Sequence, residues 1–169
     1  MDFNLLARVA KLAALFGFFL PWVTVSCSGT EIAQATGWQL ITGDIEAAEG
    51  MGEPDQAGPA VLVVAAFAVV ALGLLLGVLT KGRAAAATML IAAAIGIGLS
   101  FFSIETMRAE MVSSMAQSQD DFAQAARAAI KLDKQEGFWI SVGAMAAAAL
   151  FCLLMLATRA PAAAPERRD

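Results

Sequence analysis

The sequence predicts an all-α membrane protein, in which four transmembrane helices form a bundle and carry a small extracytoplasmic cap. Of its 169 residues, 59% are hydrophobic and 15% are charged, whereas soluble domains average about 45–50% apolar and about 25% charged residues. Three stretches of membrane-spanning length contain no charged side chain, and a chain this short cannot surround three such helices with a soluble shell. We therefore predict one integral membrane domain over residues 1–169.

The spans are predicted at about 5–25, 59–80, 84–104 and 138–158. The last three are the uncharged stretches. The first contains Arg8 and Lys11 near its start, where long cationic side chains are expected to extend to the lipid headgroups. No charged residue is then expected in the middle of the membrane. Because ion and proton pathways normally need such groups, this pattern counts against a pump or a coupled carrier.

The uneven distribution of basic residues predicts the orientation. Seven of the 11 Lys and Arg residues lie near the two termini or in the short turn at 80–84. Short basic segments stay in the cytoplasm. Both termini, with a tail at 159–169, are therefore predicted to be cytoplasmic in a bacterial inner membrane, and the loops at 28–58 and 105–136 are predicted to face outward.

The three tryptophans agree with this orientation. Trp22, Trp38 and Trp139 all fall on the predicted outer side. Because an indole ring combines an apolar body with a polar N–H, we expect these side chains at the level of the headgroups.

The first outer loop predicts a β-hairpin. Residues 22–36 alternate between apolar and polar side chains on both sides of a Ser-Gly turn, which is typical of two paired strands. In this register Val25 faces Ile32 and Cys27 faces Thr30. An irregular loop is the alternative.

The rest of the cap is predicted to be a short turn and two amphipathic helices. Residues 37–43 are expected to form a turn that places its apolar side chains in the membrane interface. Met107, Met111 and Met115 recur every four residues, so the third span is expected to continue beyond the membrane. These methionines are interpreted as core contacts with the hairpin or, alternatively, as a partner-binding face. A second helix is predicted to follow, with these residues on one face: Phe122, Ala126, Ala129 and Ile130.

The composition excludes several kinds of chemistry. The chain has no histidine and two cysteines, which removes His-based catalysis, His metal sites and a disulfide-rich scaffold. A net charge of −4 disfavours nucleic acid as a partner. The acidic cluster at 44–55 lacks the spacing of a calcium-binding loop, and Glu105, Glu110 and Asp120 do not stand out from ordinary surface charges. No enzyme activity, cofactor or metal site is therefore predicted.

Gly73 and Gly77 form the small-residue pair that we select as a helix contact. Small residues four apart let two helices approach closely in lipid. The pair is expected to contact another span of the same chain or, alternatively, a membrane-protein partner or a second copy. The outer cap is the other predicted interaction surface.

Cys27 also permits a different interpretation of the first segment. A basic start, an apolar run and a cysteine resemble a lipoprotein signal, and cleavage there would leave a lipidated Cys27 and three spans. Residues 24–26, Thr-Val-Ser, fit this signal poorly because they lack the usual leucine three positions upstream of the cysteine.

Three short stretches carry a resemblance to known proteins. Residues 19–27 (FLPWVTVSC), 36–40 (TGWQL) and 137–140 (GFWI) resemble a family of small, uncharacterised bacterial membrane proteins, with Leu-Pro-Trp at the end of the first span. The resemblance implies four spans and no particular activity. In outline the chain is also similar to claudins, but its first loop has Cys27 alone where claudins have a cysteine pair.

These observations predict a non-enzymatic accessory, scaffold or sensing component of a bacterial inner-membrane complex. A small transporter or channel subunit that acts as an oligomer is the first alternative, and a lipoprotein acylated at Cys27 is the second.

Overall fold

The computed structural model describes residues 3–27, 30–44, 58–80, 82–116 and 130–158. Over these residues the chain forms five helices and a three-stranded sheet. The helices are α1 (Phe3–Gly17), α2 (Gly37–Thr42), α3 (Val61–Leu79), α4 (Gly82–Ala116) and α5 (Glu136–Thr158). The strands are β1 (Pro21–Cys27), β2 (Thr30–Thr36) and β3 (Ile130–Lys134).

Helices α3, α4 and α5 are long and apolar enough to cross a membrane. At 1.5 Å per residue, α3 is about 28 Å long and α5 is about 34 Å long. Large aliphatic side chains remain exposed in the middle of these helices, including Leu75 at 54% and Leu153 at 50%. Hydrocarbon accepts such a surface and water does not, so these three helices are compatible with a multi-pass membrane protein.

Helix α1 ends at Gly17, well before residue 25, where the first predicted span ends. It measures about 22 Å. The chain turns at 18–20 and continues as a strand, because Pro21 lacks an N–H and the β-branched residues after it favour extended backbone. The indole N–H of Trp22 donates a hydrogen bond of 2.9 Å to the Gly17 carbonyl, which satisfies one of the free carbonyls at the helix end.

Helix α1 packs along α5 and also contacts α3. The hydroxyl of Ser141 in α5 donates to the Ala14 carbonyl at 3.2 Å. Gly17 makes this approach possible, because a Cβ at this position would overlap the Ser141 hydroxyl. Small residues therefore set the distance between these two helices.

The predicted hairpin of β1 and β2 is confirmed, and one of its two predicted pairs is shifted. Cys27 pairs with Thr30 as expected, but Val25 pairs with Ala33 instead of Ile32. An irregularity between Val25 and Ser26 is the cause, since β2 contributes one extra residue there.

Residues 130–134 form β3, where the sequence predicts the end of an amphipathic helix. This part of the helix prediction is wrong, while Phe122, Ala126 and Ala129 lie outside the described residues. Strand β3 pairs with β1 from Ile130 opposite Cys27 to Lys134 opposite Val23. The strand order β2-β1-β3 makes β1 the central strand.

Residues 37–42 form helix α2 and not the predicted turn. The Gln39 N–H donates to the Thr36 hydroxyl at 3.1 Å, and the Thr36 N–H donates to the Gln39 side-chain oxygen at 2.9 Å. This reciprocal pair starts the helix. Gly43, with φ 83°, ends it in the left-handed conformation that glycine adopts without strain.

Helix α4 extends to Ala116, so the predicted continuation of the third segment beyond residue 104 is confirmed. Met107 packs against the cluster of buried residues below the sheet, as the core interpretation of the methionines expects. The side chains of Met111 and Met115 are outside the described part.

An aromatic cluster joins the sheet to the helices. Phe18, Trp22 and Phe138 are fully buried, with ring centroids 4.5 Å apart for Phe18 and Trp22 and 5.6 Å apart for Trp22 and Phe138. Trp22 is therefore a core residue. Trp38 and Trp139 remain 42% and 54% exposed.

Replacing Trp22 by Phe tests this cluster. The change removes the N–H that bonds to Gly17 and leaves a gap beside Phe138, so we expect the free energy of unfolding to fall by about 1–3 kcal/mol. Trp139→Phe, at an exposed position, should change it by less than about 0.5 kcal/mol. Thermal unfolding of both variants in the same detergent checks the prediction, and equal effects would contradict it.

Candidate functional site

The acidic residues of the described ranges lie at one end of the helices. We call the end that carries the strands the sheet end, and the end where α3 ends and α4 begins the turn end. All six acidic residues in the described ranges lie at the sheet end: Glu31, Asp44, Glu105, Glu110, Asp133 and Glu136. Of the six basic residues in these ranges, Arg8, Lys11 and Arg83 lie at or toward the turn end, and Arg108, Lys131 and Lys134 lie at the sheet end.

A cleft of about 640 Å³ lies at the sheet end, between the sheet and helices α3 and α4. Alternate side chains of a strand point to the same face, and the register aligns Val25, Ala33 and Leu132 across the three strands. All three line the cleft, as do Val23 and Ala35. The sheet therefore contributes an apolar floor.

Helix α4 contributes the polar wall of the cleft. Ser103, Thr106 and Glu110 line it from successive turns. The Ser103 hydroxyl donates to the Ser100 carbonyl at 2.8 Å, and the Thr106 hydroxyl donates to the Ser103 carbonyl at 2.9 Å. Both hydroxyl protons are thus used, and an ionised Glu110 offers acceptors alone. This wall favours a ligand group that donates hydrogen bonds.

The cleft opens onto the apolar flank of α3. Val61 lines the cleft and is 75% exposed. Val64 follows one turn later on the same side of the helix and is also exposed. The exposed apolar surface of α3 therefore adjoins the cleft at Val61.

Lys11 does not extend to the end of its helix as predicted. Its side chain is fully buried, and its Nζ has no hydrogen-bond partner among the described residues. The ammonium points toward Gly73 of α3, where an added Cβ would lie 2.7 Å from Nζ. The missing side chain of Gly73 creates the space that Lys11 occupies, so the cation turns into the protein instead of following the helix surface.

Arg8 lies one turn closer to the turn end, on the same face of α1 as Lys11. Its Nη2 donates to the Gly77 carbonyl of α3 at 3.0 Å, and its Nε is buried without a hydrogen-bond partner in the described part of the chain. Two neighbouring cations of α1 thus meet the two glycines of α3.

Gly73 and Gly77 also contact α4. A Cβ at Gly73 would overlap Ala92, and one at Gly77 would overlap the side chain of Met89. Packing within the chain therefore accounts for this small-residue pair, which is covered by α1 and α4.

The two cysteines occupy opposite ends of the helices. Cys27 is the last residue of β1, whereas Cys152 lies toward the turn end of α5, where it is buried and free. This separation is too large for a disulfide. Cys152 packs in a buried cluster with Ala7 of α1 and Met89 of α4.

The remaining acidic candidates are not brought together in the described residues. Glu105 and Glu110 are exposed on α4, and Asp120 lies outside those residues. Asp44 is exposed, and the rest of the acidic cluster up to residue 55 lies outside them as well. Within the described ranges, no three side chains of the types His, Cys, Asp or Glu gather as metal ligands.

The chain matches no protein-family model and no curated protein sequence. The resemblance carried by residues 19–27, 36–40 and 137–140 therefore stays a prediction, and the function has to be argued from the cleft and the buried cations.

Substitution of Gly73 tests the close approach of α1, α3 and α4. In Gly73→Ala the new methyl group meets Ala92 and Lys11, so we expect the free energy of unfolding to fall by about 1–3 kcal/mol. Gly98→Ala is the matched control, because no atom lies within 4 Å of its added Cβ. In the control variant the free energy of unfolding should rise by up to about 1 kcal/mol, because alanine has a higher helix propensity than glycine. The close approach is contradicted if Gly73→Ala unfolds at the same temperature as Gly98→Ala.

Proposed function

We propose that this protein is a multi-pass protein of a bacterial inner membrane and serves as a non-enzymatic accessory or sensing component. In this proposal the cleft at the sheet end binds the apolar chain of a lipid-like amphiphile. The observation that supports this proposal is the cleft itself. Its volume is about 640 Å³, its floor is apolar, and its wall offers hydrogen-bond acceptors.

The proposal includes four crossings, of which α1 is the shortest. Helix α1 covers about 22 Å, and the apolar turn at 18–20 lengthens the segment toward the hydrocarbon thickness of about 30 Å. Exposed side chains along it, Leu5 at 62% and Phe16 at 69%, suit contact with lipid. The packing of α1 along α5 supports its place among the crossing helices.

In the proposed orientation the turn end faces the cytoplasm and the sheet end faces outward. Arg8, Lys11 and Arg83 at the turn end support this, because short basic segments are retained in the cytoplasm, and no described acidic residue lies at that end. Both termini and the segment 159–169 would then be cytoplasmic, and the cap would be the surface offered to partners.

A lipid-like amphiphile fits the level of the cleft. Thr106 is 24 residues beyond Gly82, at the start of α4, which is about 36 Å along the helix. The polar wall would thus lie near the headgroups, just beyond a hydrocarbon layer of about 30 Å. An amine or hydroxyl headgroup supplies the donors that this wall lacks, while the exposed flank at Val61 admits the chain.

A transporter or channel subunit is the second candidate, and Lys11 is the observation that favours it. Lys11 is a buried basic side chain among the helices, where the sequence predicts no charge. Intramembrane cations that face the interior of a bundle often belong to substrate or ion pathways.

The lipoprotein alternative receives less support. Cleavage before Cys27 would remove α1 and nearly all of β1. The sheet would then lose its central strand, and β2 and β3 would have no strand between them. Residues 1–26 are therefore proposed to remain attached.

The proposed orientation predicts which positions react with a membrane-impermeant maleimide in intact cells. Both native cysteines are first replaced by serine, and single cysteines are then introduced as Asp44→Cys and Arg83→Cys, both at exposed positions. The cysteine of Asp44→Cys should react in intact cells, whereas the cysteine of Arg83→Cys should react only after the cells are lysed. The opposite result would reverse the orientation, and recovery of the protein without detergent would contradict the membrane setting.

The cleft predicts selective binding of dodecylamine. In nanodiscs, displacement of a fluorescent long-chain amine should show that dodecylamine binds more tightly than dodecanoate, because the α4 wall repels a carboxylate. Glu110→Gln should weaken amine binding about tenfold, which corresponds to about 1.4 kcal/mol. Glu105→Gln, an exposed glutamate that does not line the cleft, should leave it unchanged. Equal affinity of both variants, or no binding at all, would contradict the proposed ligand.

A further inference from the structure

The turn end places two cations side by side inside the protein. Arg8 and Lys11 share one face of α1, and both reach α3 at its glycine pair. No acidic residue lies at this end within the described ranges. Neighbouring positive charges repel each other, and the repulsion is strongest where water is excluded.

Several hydrogen-bond donors of this pair are unused. Lys11 Nζ carries three N–H groups and makes no hydrogen bond within the described chain, and Arg8 Nε carries one more. A buried ammonium without a partner costs several kcal/mol. This free-energy cost is expected where the unpartnered cation forms part of a binding site for a ligand.

We propose that Arg8 and Lys11 bind one phosphate-class anion between α1 and α3 at the turn end. A phosphate has several acceptor oxygens and negative charge, which match the planar guanidinium and the compact ammonium together. Because this site lies among membrane helices near their ends, the phosphate of an anionic lipid is one source, and free inorganic phosphate is the other.

The glycine pair brings both cations against the backbone of α3. Lys11 Nζ lies where a side chain of Gly73 would be, and Arg8 donates to the Gly77 carbonyl. Arg8 is partly exposed, so the anion approaches from the turn end and contacts Arg8 first. The ammonium of Lys11 is covered, and its flexible stem has to swing toward Arg8 to complete the site.

The site is independent of the cleft, which lies at the opposite end. Loss of amine binding at the cleft would therefore leave this proposal intact, and the reverse also holds. The two proposals are tested with different ligands and different variants.

The experiment measures thermal unfolding in a phosphate-free maltoside detergent and a phosphate-free buffer. Three additions are compared: phosphatidylglycerol, diacylglycerol with the same acyl chains, and inorganic phosphate. We expect phosphatidylglycerol or inorganic phosphate at saturation to raise the unfolding temperature by about 5 °C. Diacylglycerol, which has the chains and no phosphate, should have no effect.

Variants identify the residues that are responsible. Lys11→Met should unfold at a higher temperature than the natural protein without additions, because a buried unpaired cation is replaced by an apolar side chain of similar length. Lys11→Met and Arg8→Gln should both lose most of the shift caused by phosphate. Arg83→Gln removes an exposed cation from the same end and should keep it.

The outcomes separate the sources and test the site. A shift with phosphatidylglycerol alone supports a lipid phosphate, and a shift with inorganic phosphate supports the free anion. The proposal is overturned if neither phosphate compound shifts the unfolding of the natural protein, or if Arg83→Gln loses the shift as fully as Lys11→Met. It is also overturned if Lys11→Met is less stable than the natural protein without additions, since Lys11 would then have a partner of its own.

Discussion

The attachment of β1 to the end of α1 is the constraint on which the rest of the structure depends. Trp22 bonds to the carbonyl of Gly17 and lies between Phe18 and Phe138. This fixes the central strand directly above the helices, and β2 and β3 take their positions from it. The cleft follows, because its floor is the face of the sheet that this attachment turns toward α3 and α4.

The sheet end and the turn end of the protein are packed differently. At the sheet end, apolar side chains from three strands and two helices enclose a volume that they do not fill. At the turn end, glycines allow the helices to approach closely, and the space they leave is filled by cationic side chains. The first arrangement underlies the proposed binding of an apolar chain, and the second underlies the proposed anion site.

Local patterns in the sequence predict the helices and strands that are stabilised by residues close to them in the chain. The long helices follow from uncharged stretches of sufficient length, and the β1–β2 hairpin follows from alternation around a short turn. Strand β3 could not be recognised, because its five residues are ordered by pairing with a strand more than a hundred residues earlier. The position of Lys11 depends in the same way on a glycine in α3, so its own neighbours in sequence give no sign that it is buried.

The pairing of β1 with β3 has a consequence for biogenesis. Translation proceeds from the N-terminus, so β1 leaves the ribosome long before its partner strand β3 is synthesised. The two strands cannot pair until then. During that interval α1 also lacks α5, the helix against which it packs. The N-terminal segment therefore reaches its final position only after α5 has been synthesised, which makes completion of the fold a late event.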